Sequence, residues 1–212
     1  MRIEIIKAKF NERAERTQFV FGKFKDYWGA TVLDVGCYQA PLREMVGAEK
    51  YTGVDIVGNP DIKFDLNLNQ NLPFNENTFE TVIAIETLEH IDNLHFLFSE
   101  CVRVTSKYLI VSLPNCWRDA RRPIERGRGD FAHYGLPVTK PNDRHRWFFN
   151  FSEAVDFYNG IAKVHQLKVV KIFGTEQPRN IIVELFRKLY YKNDAYLNRY
   201  AQTAWVVFEK NE

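Results

Sequence analysis

Residues 32–37 read Val-Leu-Asp-Val-Gly-Cys and residues 51–56 read Tyr-Thr-Gly-Val-Asp-Ile, two short apolar runs that each carry an aspartate. Asp34 and Asp55 lie 21 positions apart, the length of a strand, a turn, a helix and a second strand, with the turn near Gly36. In a doubly wound α/β sheet an acid at the tip of the second strand faces the crevice where a ribose lies. Its carboxylate can accept bonds from two adjacent hydroxyls. The pair therefore points to an open parallel sheet and a nucleoside-bearing cofactor.

The rest of the chain continues the alternation. Further strands are predicted at 61–64, 80–85 and 107–113, after 31–35 and 51–55, each apolar enough to be buried on both faces. Helices are predicted over 40–47 and 92–105; Asp92 is the expected N-cap of the second, and Leu94, Leu97, Phe98, Cys101 and Val102 form its inward stripe. An amphipathic helix over 8–27, closed by Trp28-Gly29, leads the chain, with Phe10, Ala14, Phe19, Val20 and Phe24 at helical spacing. After Pro114 periodicity is lost through residue 150, and it returns with Ser152 as an N-cap. A helix near 153–165, a strand at 168–173, a helix near 181–191 and a closing strand at 202–208 follow. Strands alternating with helices specify a mostly parallel sheet with right-handed crossovers. At 212 residues the chain is read as one domain, 1–212, with an N-terminal helix in 1–28 and an inserted segment at 115–150.

Composition excludes several classes. A net charge of +2 gives no firm nucleic-acid signal, and no apolar run approaches the ~18 residues that span a bilayer. Cys37, Cys101 and Cys116 are odd in number and lack metal-like spacing, so free thiols, no metal site and a cytoplasmic location are expected. The charged start, Met-Arg-Ile-Glu-Ile-Ile-Lys, does not read as a signal peptide.

Two more segments complete a pattern. Phe64-Asp65-Leu66-Asn67 places an acid just after the third strand. Leu72-Pro73-Phe74 leads through Phe79-Glu80 into the fourth strand, which runs out into Glu86-Thr87-Leu88-Glu89-His90-Ile91. This order resembles the class I S-adenosylmethionine-dependent methyltransferases, in particular the small single-domain branch (methyltransferase type 11-like), over about residues 30–115. The resemblance implies a seven-stranded Rossmann-like sheet whose last strand is antiparallel, with S-adenosyl-L-methionine as cofactor. By the same resemblance Asp34, Gly36 and Cys37 lie against the methionine part, and Asp55 with Ile56 holds the ribose. Asp65 bonds the adenine amino group beside Leu66, Glu86 approaches the methionine moiety, and His90 faces the transfer site. The chain departs from the family at Tyr38, where the turn usually has a second glycine. A pyrophosphate-binding turn would not tolerate this, so Tyr38 argues against NAD more strongly than against S-adenosylmethionine.

Each residue also has a plain structural role open to it. Asp34 can simply end a strand, Asp-Leu-Asn is good turn chemistry, Glu86 and Glu89 can be helix-start acids, and His90 can cap a helix.

The inserted segment holds Arg118, Arg121, Arg122, Arg126 and Arg128 within 11 residues, either a solvated loop or a site for phosphate or carboxylate. Beyond it, His133 and Tyr134, then Arg144, His145 and Trp147, mix aromatic faces with bonding groups, as a sugar ring requires. Arg121, Arg122, His133, Tyr134, Arg144 and Trp147 are the candidate acceptor residues, with His90 and His145 as candidate bases. The resemblance adds that similar enzymes with such a segment and a closing strand like Trp205-Val206 often act in surface-polysaccharide pathways. Methyl transfer to a small polar acceptor, such as a sugar or a nucleotide- or lipid-linked sugar, is the resulting expectation. An RNA methyltransferase and a catalytically degenerate binding module are the alternatives. The 181–191 helix, with Ile182, Leu185, Phe186 and Leu189 on one face, is expected to pack on the core; a peripheral membrane or homodimer surface is the other reading.

Overall fold

The computed structural model describes residues 3–68, 70–131, 133–139, 141 and 143–211. Its centre is one eight-stranded sheet. The strands are β1 (Glu4–Lys7), β2 (Val32–Val35), β3 (Tyr51–Asp55), β4 (Ile62–Lys63), β5 (Phe79–Ile85), β6 (Thr105–Pro114), β7 (Leu167–Glu176) and β8 (Thr203–Lys210), in the order β1-β7-β8-β6-β5-β2-β3-β4. Only β8 runs antiparallel to its neighbours, β6 and β7. The α/β class, the seven expected strands and the antiparallel last strand are all present. The eighth is β1, whose Glu-Ile-Ile-Lys is too short and too charged to announce itself, and which pairs only with the edge of β7.

Helices cover both faces: α1 (Arg13–Lys23), α2 (Arg43–Val46), α3 (Leu94–Val104), α4 (Cys116–Arg126), α5 (Phe151–Val164), α6 (Ile181–Tyr190) and α7 (Asp194–Tyr200). Alternate strand residues feed two cores. Leu33, Val82, Ala84, Leu109, Val206 and Phe208 meet α3 and α5 on one face. Ile83, Ile110, Phe173, Trp205 and Val207 meet α1 on the other. Trp205 is fully buried, stacked 6.0 Å from Phe173 and 5.9 Å from Phe24 of the turn after α1. Burying each such ring contributes roughly 1.5–3 kcal/mol, which is what fixes α1 across the sheet.

Several local expectations are corrected. The leading helix is shorter than 8–27, because Lys25–Tyr27 tightens into a 3-10 turn. The caps of α3 and α5 are Asn93 and Asn150, one and two residues away from Asp92 and Ser152; Asn150 and Glu153 form a reciprocal capping box. The segment 115–150 is not structureless throughout. Asn115 caps α4 and Gly127, at φ +62°, ends it. Its charged sequence and Pro123 conceal a helix that is held by tertiary contacts. The second missed helix, α7, packs on α4 and α5. Helix α6 is also corrected: Ile182, Leu185, Phe186 and Leu189 do not pack on the core but are exposed.

Sequence order reverses between β5 and β2, and at such a switch point the carboxyl ends of adjacent strands part to leave a crevice. Gly36 follows β2 and Glu86 follows β5, so both stand at its mouth.

Candidate active site

The turn after β2 has three left-handed residues, Gly36 (φ +79°), Tyr38 (φ +49°) and Ala40 (φ +50°). Gly36 is required for a second reason: a Cβ there would stand 2.4 Å from both Cγ2 and Oγ1 of Thr87. Tyr38 fits the turn because its ring swings outward, 4.6 Å beneath the Arg13 guanidinium, while its N–H donates to Asp55 Oδ2 at 2.8 Å. The turn and the tip of β3 are thus tied together. Cys37 is buried, and Ile56 is exposed beside Asp55.

A cavity of about 450 Å³ opens over this turn, lined among others by Arg13, Arg16, Gly36, Glu86, Glu89, His90, Arg118, Asp119, His133, Asp143 and His145. A smaller one, about 50 Å³, adjoins it through Arg13, Arg16, Gly36 and Ile85, and reaches Asp34 and Cys37. Asp34 is buried and accepts a 2.6 Å bond from the Tyr51 hydroxyl; burial pushes its carboxyl up to about 7. Asp55 also accepts from Val57 N–H at 3.1 Å, and Asp65 closes its own turn by accepting from Asn67 N–H at 2.9 Å. Leu66, beside it, packs half-buried against the core.

Glu86 joins three elements. It has a left-handed backbone (φ +48°), pairs with Arg16 of α1, and accepts from the Thr203 hydroxyl of β8 at 3.0 Å. A non-glycine residue held in this conformation stores backbone strain of order 1–3 kcal/mol, and such positions cluster at working sites. Arg13 and Arg16 were not singled out from sequence. Their spacing of three on the leading helix, pointing one way from an otherwise apolar stripe, was the available signal.

Three imidazoles gather at the far end. His133 and His145 stack with centroids 4.2 Å apart, and His90 meets His145 edge-on at 4.6 Å. His90 Nδ1 lies 3.1 Å from Asp143 Oδ1, and His133 Nδ1 lies 3.6 Å from Asp143 Oδ2. Tyr134 sets the tautomer of His145. Its hydroxyl donates to the Trp147 carbonyl at 2.9 Å and therefore receives a proton from His145 Nδ1 at 2.8 Å. His145 Nε2 is left with a free lone pair. Burial, then His90 and His133, pulls His145 down to about 3, so it is neutral; burial also lowers His90. Glu89 is buried, with one oxygen 3.8 Å from His90 Nε2 and the other without a hydrogen-bond partner among the described residues. Burial pushes its carboxyl up to about 8. Glu89, His90 and His145 each bring one ligand atom within 4.8 Å of the others, close enough to share a cation or a proton. Sequence reading expected no metal because these residues are scattered along the chain and meet only in the fold.

The candidate acceptor residues divide. His133 and His145 line the cavity and Tyr134 stands behind them. Arg144 and Trp147 instead fasten the segment, donating to the carbonyls of Gly135 (3.3 Å) and Ile91 (2.8 Å). Of the five arginines, Arg118 lines the cavity. Arg121 is held by Glu125 at 2.7 Å and lies 5.4 Å from the Tyr200 ring centroid, and Arg122 is not among the lining residues.

The cavity suits S-adenosylmethionine on its own chemistry. Arg13 and Arg16 would hold a carboxylate, and Glu86 would hold an ammonium.

Comparison with known proteins agrees. A family model described as a methyltransferase domain matches residues 7–155. The chain belongs to this family, the class I S-adenosylmethionine-dependent methyltransferases. No curated protein matches it in sequence. Among solved structures it is similar to a SAM-dependent methyltransferase from Archaeoglobus fulgidus, with 21% identity over 95% of this chain and 96% of that one and a TM-score of 0.57. It is also similar to the methyltransferase domain of bacterial CtHen1, with 17% identity, 94% and 98% coverage and a TM-score of 0.60. A third is magnesium protoporphyrin IX methyltransferase from Synechocystis PCC 6803 with bound SAH, with 12% identity, 97% and 90% coverage and a TM-score of 0.54. At these identities the structural likeness speaks for the fold.

Proposed function

We propose that this methyltransferase, acting as one domain, methylates a hydroxyl of a small polar, anionic acceptor such as a nucleotide- or lipid-linked sugar. The observation that carries the reading is that Arg118, His90, His133 and His145 line one cavity together with Gly36 and Glu86. The bound cofactor supplies an electrophilic methyl group on a sulfonium centre. Arg13 and Arg16 bind its carboxylate, Asp55 its ribose, Asp65 and Leu66 its adenine, and Glu86 orients the methionine end. Arg118 holds an acceptor phosphate or carboxylate by its planar fork. His145 takes the acceptor proton at Nε2, the lone pair that Tyr134 leaves free, with Glu89 and His90 in the same cluster.

The test is transfer of a radiolabelled methyl group to a panel of nucleoside-diphosphate sugars. With an accepted sugar, Arg118→Ala is expected to raise acceptor KM and leave S-adenosylmethionine affinity unchanged, since only uniform acceptor binding is lost. His145→Gln is expected to lower kcat by ~100-fold or more with little change in KM. An unchanged KM in Arg118→Ala removes the anionic acceptor, and full turnover in His145→Gln removes the base.

A further inference from the structure

Helix α6 is turned inside out. Ile181, Ile182, Leu185, Phe186, Leu189 and Tyr190 are 57–81% exposed, and no residue of the helix is buried. At about 100° per residue these six side chains share one arc of about 180°. The opposite arc carries Glu184, Arg187 and Lys188; Glu184 and Arg187 turn toward the protein and Lys188 stays exposed. Glu184 pairs with Lys7 at 2.8 Å and Lys188 at 2.6 Å. The Arg187 guanidinium lies 4.5 Å from the Tyr200 ring centroid, and Lys188 Nζ lies 5.6 Å from that of Tyr196. A surface helix in water shows the reverse arrangement, apolar inward and polar outward. Here ion pairs and cation–π contacts fix the rotation and leave the apolar arc outward, where it has a use only against a second apolar phase.

Charge says which phase. Residues 179–192 carry Arg179, Arg187, Lys188 and Lys192 against the single acid Glu184. Burial, then Arg187, lowers Arg179, with Glu176 opposing and Arg122 and Arg118 adding to the effect. Lys188 and Lys192 are the exposed cations of this segment. The neighbouring acids Glu176 and Glu184 are already occupied by Lys7. A second copy docked on this helix would bring the excess of cations in residues 179–192 against its own copy. An anionic lipid surface meets both features, taking the apolar arc into its acyl boundary and the exposed Lys188 and Lys192 at its headgroups.

We propose that α6 is a membrane-surface anchor that seats the enzyme on a bilayer bearing anionic headgroups. No helix among the described residues is long and apolar enough to cross a membrane, so the contact is peripheral. The anchor itself goes beyond the transferase reading and holds whatever the acceptor is.

Co-sedimentation of the full chain with vesicles tests it. Binding is expected to phosphatidylcholine vesicles containing phosphatidylglycerol and not to phosphatidylcholine alone, and to weaken as salt rises. The double substitution Phe186→Glu with Leu189→Glu, both outward-facing, is expected to lower partitioning at least ~10-fold while S-adenosylmethionine affinity stays at the wild-type value. No binding to anionic vesicles, equal binding to neutral ones, or full binding by the double variant each overturns the proposal. So does a dimer in light scattering that the double variant splits, which would give the arc to a second copy.

Discussion

Asp34→Asn isolates the consequence of burying a carboxylate beneath the cofactor turn. Asp34 is 5% exposed and its one hydrogen-bond donor is the Tyr51 hydroxyl at 2.6 Å, so burial dominates and the carboxyl rises from 3.8 to about 7. At about 1.4 kcal/mol per pH unit, ionising it in the folded protein costs about 4 kcal/mol relative to the unfolded chain. The folded state therefore holds a proton that the unfolded state releases, and stability falls as pH rises from about 4 to about 7. Asparagine keeps an oxygen for Tyr51 and cannot ionise. The difference in unfolding free energy between wild type and variant is expected to favour the variant progressively over that range and to level off above about 7. Urea unfolding followed by tryptophan fluorescence, at a series of pH values without cofactor, measures it. Glu89, also held high by burial, contributes equally to both proteins and cancels in the difference. A difference that stays constant with pH refutes the reasoning, because it would mean Asp34 ionises as readily folded as unfolded.

Gly36→Ala places a methyl group 2.4 Å from Thr87 at φ +79°, and displaces the Thr87 hydroxyl from its 3.0 Å bond to the Val35 carbonyl. A loss of about 2–3 kcal/mol is expected, with weakened S-adenosylmethionine binding by calorimetry; wild-type Tm and affinity would contradict it. Asn115→Ala removes donors to the carbonyls of Leu197 (3.2 Å), Asn198 (2.9 Å) and Ala201 (2.9 Å) as well as the cap of α4. Its side chain is fully buried, so the urea midpoint is expected to fall by the equivalent of about 2–4 kcal/mol, and an unchanged midpoint would show that α4 is not held through this residue.

The residues that sequence located are those whose chemistry is local. A β-branched run followed by Gly36, a strand ending at Asp55 and the run into Glu86 are each read from a few neighbouring positions. Their period-two and turn patterns are enforced by backbone sterics and burial, so they fix strands β2 to β6 and the crevice between β2 and β5. What was not legible depends on contacts distant in the chain. Arg16 meets Glu86 across 70 positions, and Asn115 meets Ala201 across 86. His90 and His145 come together from 55 positions apart. Among the five clustered arginines, the choice of Arg118 for the cavity and Arg121 for Glu125 is made by the rotation of a helix whose own sequence hides it.

Helix α6 is the sharpest case. Its amphipathic period was plain in the sequence, and the period alone says only that one face differs from the other. Which face turns inward was decided by Lys7, Tyr196 and Tyr200, supplied from β1 and α7, which pair with the polar arc and hold it against the protein. Sequence determines that a helix has two faces. Only the tertiary structure, through partners remote in the chain, determines which of them is left for water or lipid.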